Sequence, residues 1–159
     1  MTLYLVRHAK AQNYHPEGDA FRELTETGIL TAQAMASQAR RRGMSPDVFL
    51  SSPYARARAT AQIFMGSANG KLQLSTALTP DAELSDAFEE LSAWVKNGTQ
   101  RLAVFSHNPF IALFASYLTP PSAHRELTFH TATVVAIDFN QEFRPGSGRL
   151  LWIEHPLHD

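Results

Sequence analysis

The chain has 159 residues, 44% hydrophobic and 18% charged, enough apolar surface for one packed core and too much for a disordered chain. Its formal net charge of -1 supplies no basic field for nucleic acid or an anionic membrane. The absence of cysteine rules out a disulfide framework, a thiolate nucleophile and a Cys-ligated zinc. These numbers fit a single domain over residues 1–159 and are compatible with the cytoplasm. Nothing in them sets an oligomeric state.

The apolar run Leu3-Tyr4-Leu5-Val6 predicts a buried strand over Thr2 to Val6, and Arg7 ends it too early for a signal peptide. A polar loop, Lys10 to Glu23, leads through Leu24-Thr25-Glu26-Thr27-Gly28 into a helix. Ile29, Ala32, Ala36 and Ala39 recur on it near helical spacing, and Gly43 is its expected stop. Arg40-Arg41-Arg42 reads as a solvated helix end, where cations complement the dipole. Asp47 to Leu50 is a second strand. A second helix is expected over Pro53 to Met65, with Ser52 as its cap and Pro53 in its first turn. Gly66 to Gly70 is a turn, and Leu72 to Leu78 a short strand.

A helix over Ala82 to Trp94 places Leu84, Phe88, Leu91 and Val95 on one face, and Asn97-Gly98 ends it. Leu102 to Phe105 is another strand, after which Asn108 is expected to cap a helix starting at Pro109. The apolar stretch Ala103 to Leu118 is broken by Ser106-His107-Asn108-Pro109, so it reads as strand, turn and helix rather than a membrane span. Ala132 to Phe139 and Arg149 to Ile153 form the last strands, an antiparallel hairpin turning over Glu142 to Gly148. Alternating strands and helices predict an α/β fold with helices on both faces of the sheet, its ligand site at the carboxyl ends of the strands.

Chemistry-bearing residues collect at those ends. Arg7-His8 joins a planar fork of donors to a nucleophilic imidazole, a pair suited to phosphate. In Ser51-Ser52-Pro53-Tyr54-Ala55-Arg56-Ala57-Arg58-Ala59-Thr60, the arginines two apart face different sides of the helix. Arg56, nearer the N-terminus, is the better placed, and Thr60 shares its face. His107 lies between a strand and a helix N-terminus, where free N–H groups favour an anion. Arg22, in Phe21-Arg22-Glu23-Leu24-Thr25, is a fourth candidate. No His-x-x-x-His or carboxylate pairing has metal-ligand spacing.

The set resembles the histidine phosphatase superfamily, whose fold is phosphoglycerate mutase-like. Arg7-His8-Ala9 is similar to its Arg-His-Gly signature, with Ala in the Gly position. Ser52-Pro53-x-x-Arg56-Ala57-x-x-Thr60 and Ser106-His107-Asn108-Pro109 are similar to its second and third motifs. The short length and Arg22-x-Leu24-Thr25-x-x-Gly28 resemble the SixA-type phosphohistidine phosphatases. The resemblance spans residues 3 to about 139. It implies a three-layer α/β/α sandwich around a mostly parallel sheet with an antiparallel edge.

It also implies a metal-independent, cofactor-free phosphatase. His8 would attack phosphorus and become phosphohistidine, while Arg7, Arg56 and a protonated His107 bind the phosphoryl oxygens, with Arg22 adding a contact. The partner would be a phosphorylated protein or a small phosphorylated substrate, without nucleic acid or membrane. Many relatives carry an acid for the leaving group. Here Asp81 or Glu83 falls in the matching region, but both also suit the first turn of a helix. Without that acid, good leaving groups such as phosphohistidine are favoured.

A phosphoglycerate mutase-like phosphotransferase and a non-catalytic phosphate-binding domain are the alternatives. The short stretch between Thr60 and His107 speaks against the first, and the intact histidines and arginines against the second. His15, His124, His155 and His158 read as structural or solvated, His130 as a rim residue, Lys10 as a solvated loop cation, and Trp94 and Trp152 as packing residues. The segments Lys10 to Glu23 and Ser75 to Asp86 are expected to form the rim that sets specificity.

Overall fold

The computed structural model describes residues 1–68 and 70–157. His158, and Asn69 within the expected turn, lie outside the described residues. Six strands form one sheet: β1 (Thr2–Arg7), β2 (Val48–Ser51), β3 (Lys71–Leu74), β4 (Arg101–Ser106), β5 (Val134–Asp138) and β6 (Arg149–Glu154). Four helices are α1 (Glu26–Arg41), α2 (Ala55–Met65), α3 (Leu84–Lys96) and α4 (Phe110–Leu118).

The strand order is β3-β2-β4-β1-β5-β6. The first four are mutually parallel, and β5 and β6 add an antiparallel edge. Side chains alternate across β1: Leu3 and Leu5 enter one apolar layer with Leu91 of α3 and Ile111 and Phe114 of α4. Tyr4 and Val6 enter the other, with Ala32, Ala36 and Ala39 of α1 and Ala61 and Phe64 of α2. A sheet buried on both faces needs this near-continuous apolar strand composition. The result is the three-layer α/β/α sandwich with an antiparallel edge that the resemblance implied.

Register brings three strand ends side by side. Arg7 pairs with Ser106 across β1 and β4, and Ser51 with Phe105 across β2 and β4. His8, Ser52 and His107 each follow one of those ends by a single residue.

Several boundaries differ from expectation, each for a local reason. Ser52 does not cap α2: its hydroxyl accepts from the Tyr54 N–H and meets His107, so Pro53 stays outside the helix and Tyr54 takes the N-cap position. Asn108 does not cap α4, because its Nδ2 donates to the Phe129 carbonyl at 2.9 Å, leaving Pro109 at that position. The expected strand from Leu72 to Leu78 stops at Leu74, where Ser75 caps a 3-10 turn over Thr76–Leu78. The third helix starts two residues later than expected, at Leu84, with Glu83 as its N-cap. Ile29 is exposed, and the buried face of α1 runs through Gly28, Ala32, Met35, Ala36 and Ala39. A 3-10 segment, Pro121–Glu126, follows α4 where no element was expected.

Candidate active site

His8, Arg56 and His107 converge beneath the strand ends and are 8%, 3% and 1% exposed. The backbone around His8 is held on three sides. Its own N–H donates to the Ser106 carbonyl, the Ala9 N–H donates to the Thr60 hydroxyl at 3.0 Å, and the Ala132 N–H reaches back to the Arg7 and His8 carbonyls. Thr60 in turn donates to the Arg56 carbonyl at 2.7 Å, so one hydroxyl ties the β1 loop to α2. Ala132 adopts a left-handed φ of 63°, a conformation that costs a non-glycine residue roughly 1 kcal/mol and often marks a constrained site. Ala9 packs fully buried among Val6, Leu24 and neighbouring apolar groups, so its methyl fills space in the core.

His8 Nδ1 lies 2.7 Å from the Ala9 carbonyl. A carbonyl only accepts, so Nδ1 carries the proton and Nε2 the lone pair. That Nε2 faces Arg56 Nε at 3.3 Å. Burial, and after it the Arg56, Arg7 and Arg22 charges, lower the His8 pKa to about 4 against the pull of the Ala9 carbonyl. The imidazole is therefore neutral at physiological pH.

His107 stands beside it with ring centroids 5.2 Å apart and Tyr54 edge-on at 5.1 Å. Burial lowers its pKa to about 2, with His8 and Arg56 adding to the effect. A cation at His107 would be desolvated beside other positive charge, which favours the neutral ring over the protonated one expected from the resemblance.

Arg56 is the arginine of its pair that turns inward, as its position near the helix start predicts, and Arg58 is exposed. Its guanidinium sits 5.1 Å from the Tyr54 ring centroid. Arg7 donates to the Phe129 carbonyl at 3.0 Å, the same oxygen that holds Asn108. Arg22 lies close enough to lower the His8 pKa, and its guanidinium donates to the Gln12 carbonyl at 2.6 Å.

Asp19 is the contact that motif reading does not single out. Its carbonyl accepts from Arg56 Nη1 at 2.8 Å, and its carboxylate bridges Arg56 Nη2 at 3.1 Å and Arg22 Nε at 2.8 Å. Those bonds, with the arginine charges, lower its pKa. The only sequence signal was its place three residues before Arg22 in the expected rim loop. By contrast, the exposed Asp81 accepts from the Thr79 hydroxyl, and Glu83 stands at the N-cap of α3. Among the described residues, no hydrogen bond joins either carboxylate to His8, Arg56 or His107.

The remaining histidines and tryptophans divide by their partners. His124 binds the Ser116 and Thr119 carbonyls, and His15 Nδ1 accepts from the Glu17 N–H. The His130 and His155 rings meet edge to face, and His155 also reaches the Thr133 hydroxyl. Trp152 packs on Tyr4 beneath Arg42, while Lys71 lies over Trp94. Among the described residues, no three His, Asp or Glu side chains cluster as metal ligands, and no helix is long and apolar enough to cross a membrane.

The fold and this strand-end cluster define an α/β phosphate-handling protein. The family profile of the histidine phosphatase superfamily (branch 1) matches residues 3–80. The protein histidine phosphatase SixA, solved with tungstate, superposes with a TM-score of 0.85 at 22% identity, covering 96% of each chain. A protein assigned as the phosphohistidine phosphatase SixA from Agrobacterium tumefaciens gives the same TM-score at 25% identity, covering 98% of this chain and 97% of its own. An uncharacterised protein of Picosynechococcus sp. is 26% identical over 154 residues, 94% of this chain and 88% of that one. Residues 3–80 match the histidine phosphatase superfamily and the fold over nearly the whole chain is that of SixA-type phosphatases, which together mark the protein as a phosphatase.

Proposed function

We propose that the chain, as a single catalytic domain over residues 1–159, hydrolyses phosphate from a phosphorylated protein or small phosphoester through a phosphohistidine on His8. The observation that carries this reading is the orientation of His8: Nδ1–H is engaged by Ala9, and the neutral Nε2 lone pair faces Arg56. In the first step the Nε2 lone pair forms the N–P bond while the bond from phosphorus to the leaving group breaks, its electron pair departing with the leaving group. In the second, water attacks phosphorus, the N–P bond breaks and inorganic phosphate leaves.

Arg56, Arg7 and His107, with Arg22 at the rim, hold the phosphoryl oxygens and stabilise the charge as it spreads over them. These groups supply the positive field and the donors without a metal ion. Asp19 is ionised, Asp81 is bonded to Thr79, and neither Asp81 nor Glu83 makes a hydrogen bond to the cluster among the described residues, so the chemistry suits a leaving group that departs without a strong acid. Phosphohistidine meets that requirement, and SixA-type proteins with this fold are named for it.

His8→Ala should abolish turnover and the acid-labile phosphoenzyme together, measured with a phosphohistidine protein, an aryl phosphate and a sugar phosphate. Retained turnover in that variant would overturn the mechanism. Efficient phosphoglycerate interconversion by the unaltered protein would favour the mutase alternative.

A further inference from the structure

Ser52 sits at the end of β2, fully buried, with its hydroxyl 2.8 Å from His107 Nε2. The same oxygen accepts from the Tyr54 N–H at 3.2 Å. The other ring nitrogen, His107 Nδ1, is buried and has no hydrogen-bond partner among the described residues. A hydroxyl has one donor and two acceptor positions, and a neutral imidazole has one of each. The two tautomers of His107 can therefore be compared by what each leaves unpaired.

If Nε2 carried the proton, it would donate to Ser52, whose own O–H would then be buried without an acceptor. Nδ1 would be a bare buried lone pair, on a ring whose centroid lies 5.2 Å from that of His8. If Nδ1 carries the proton, the Ser52 O–H donates to Nε2 while its oxygen still accepts from the Tyr54 N–H, so the hydroxyl proton is not orphaned. The one group left over is then a His107 Nδ1–H donor, which a phosphoryl oxygen satisfies. An unmet buried polar group keeps its full desolvation penalty, so the arrangement with one orphan prevails over that with two.

We infer that Ser52 is a positioning residue that fixes His107 as the neutral Nδ1–H tautomer, so that His107 donates to phosphate without first being protonated. The inference rests on the proposed phosphatase reading for its consequence in catalysis, but the tautomer itself is a property of the unliganded protein. It also accounts for how a histidine kept neutral by burial still serves an anion: the serine supplies the proton that Nε2 lacks as a hydrogen bond, and the ring offers its own N–H on the other side.

Nitrogen NMR of the histidine side chains in the unliganded protein at neutral pH tests this without substrate. The expected spectrum has His107 protonated at Nδ1 and bare at Nε2. A proton on Nε2 would overturn the inference even if the protein is an active phosphatase. The correct tautomer in a protein inactive on every phosphorylated compound would instead support the tautomer assignment and sink the phosphatase reading. Ser52→Ala should lower kcat/KM by roughly one hundredfold, the usual scale for a lost transition-state donor. It should weaken vanadate binding and shift the His107 nitrogen signals toward the other tautomer. Ser52→Thr, which keeps the hydroxyl, should restore both signals and rate. Unchanged nitrogen signals in a folded Ser52→Ala protein would overturn the inference.

Discussion

Arg56, which faces His8, is also paired with a carboxylate. Asp19 engages both terminal nitrogens of Arg56 and the Nε of Arg22, while its own side chain is more than half exposed. This bridge has two effects of opposite sign. It aims two buried or half-buried guanidinium groups, and it places a negative charge where a phosphate dianion must approach. Asp19→Asn keeps an acceptor oxygen for the arginines but removes the charge. Inorganic phosphate should then bind several-fold more tightly, about 1 kcal/mol, the scale of unit charges interacting through water, because the Asp19 side chain is more than half exposed. The melting temperature should fall, because Arg56 is left buried without its counter-ion. Titration calorimetry beside a thermal scan checks both, and weaker phosphate binding would show that aiming outweighs repulsion. His8, Arg56 and His107 were legible from the sequence because each stands at a fixed offset from a strand end. Asp19 was not, because its role comes from how the rim loop folds back over α2, which no local spacing encodes.

The rim loop owes its course to one close approach on α1. Thr25 caps that helix through the Gly28 N–H, and the Thr25 N–H donates to the Lys10 carbonyl. Ala11 bridges to Leu24, and the Gln12 N–H donates to the Glu23 carbonyl, zipping the loop at its base. Lys10, expected as a solvated cation, thus acts structurally through its backbone. A β-carbon on Gly28 would lie 2.1 Å from the Lys10 carbonyl oxygen, with Lys10 C and N at 3.0 and 3.1 Å. Alanine is favoured over glycine inside a helix by roughly 1 kcal/mol. Here the clash is with backbone that cannot rotate aside, and overpacking of that kind costs about 1–3 kcal/mol. The clash should win: Gly28→Ala is expected to destabilise the protein in urea and, by displacing the loop that carries Asp19 and Arg22, to lower kcat/KM. A more stable variant would mean that the loop gives way freely. At this scale the sequence resolved the order and kind of the main elements, since apolar periodicity reports burial directly. It missed the start of α2 and the cap of α4 because Ser52 and Asn108 are good caps by type, and tertiary partners, His107 and the Phe129 carbonyl, took their side chains instead.

The strand order places β1 between β4 and β5, so His8 emerges at the centre of the sheet with β4 and β2 carrying its partners on one side. Building the site there, under helices on both faces, is what dries it. Folding moves His8 and His107 from water, where an imidazole titrates near 6.5, to surroundings that hold them at about 4 and about 2. Both folded values are depressed, so as pH falls below 6.5 the unfolded chain takes up protons that the native state refuses. Stability is therefore complete above that pH and declines as the solution is acidified toward 4. Linkage at 1.36 kcal/mol per unit assigns ~3 kcal/mol of this loss to His8 alone, with His107 acting in the same direction. The Asp19 carboxylate adds its own loss only at lower pH, because its pKa lies below 3.8. Urea denaturation at intervals from pH 7 to pH 4 should show a falling stability, and His8→Asn, which cannot titrate, should make the fall shallower while leaving the His107 share. A variant that keeps the full slope of the unaltered protein would show that His8 is not held neutral, and the proposed nucleophile would lose its electrostatic basis.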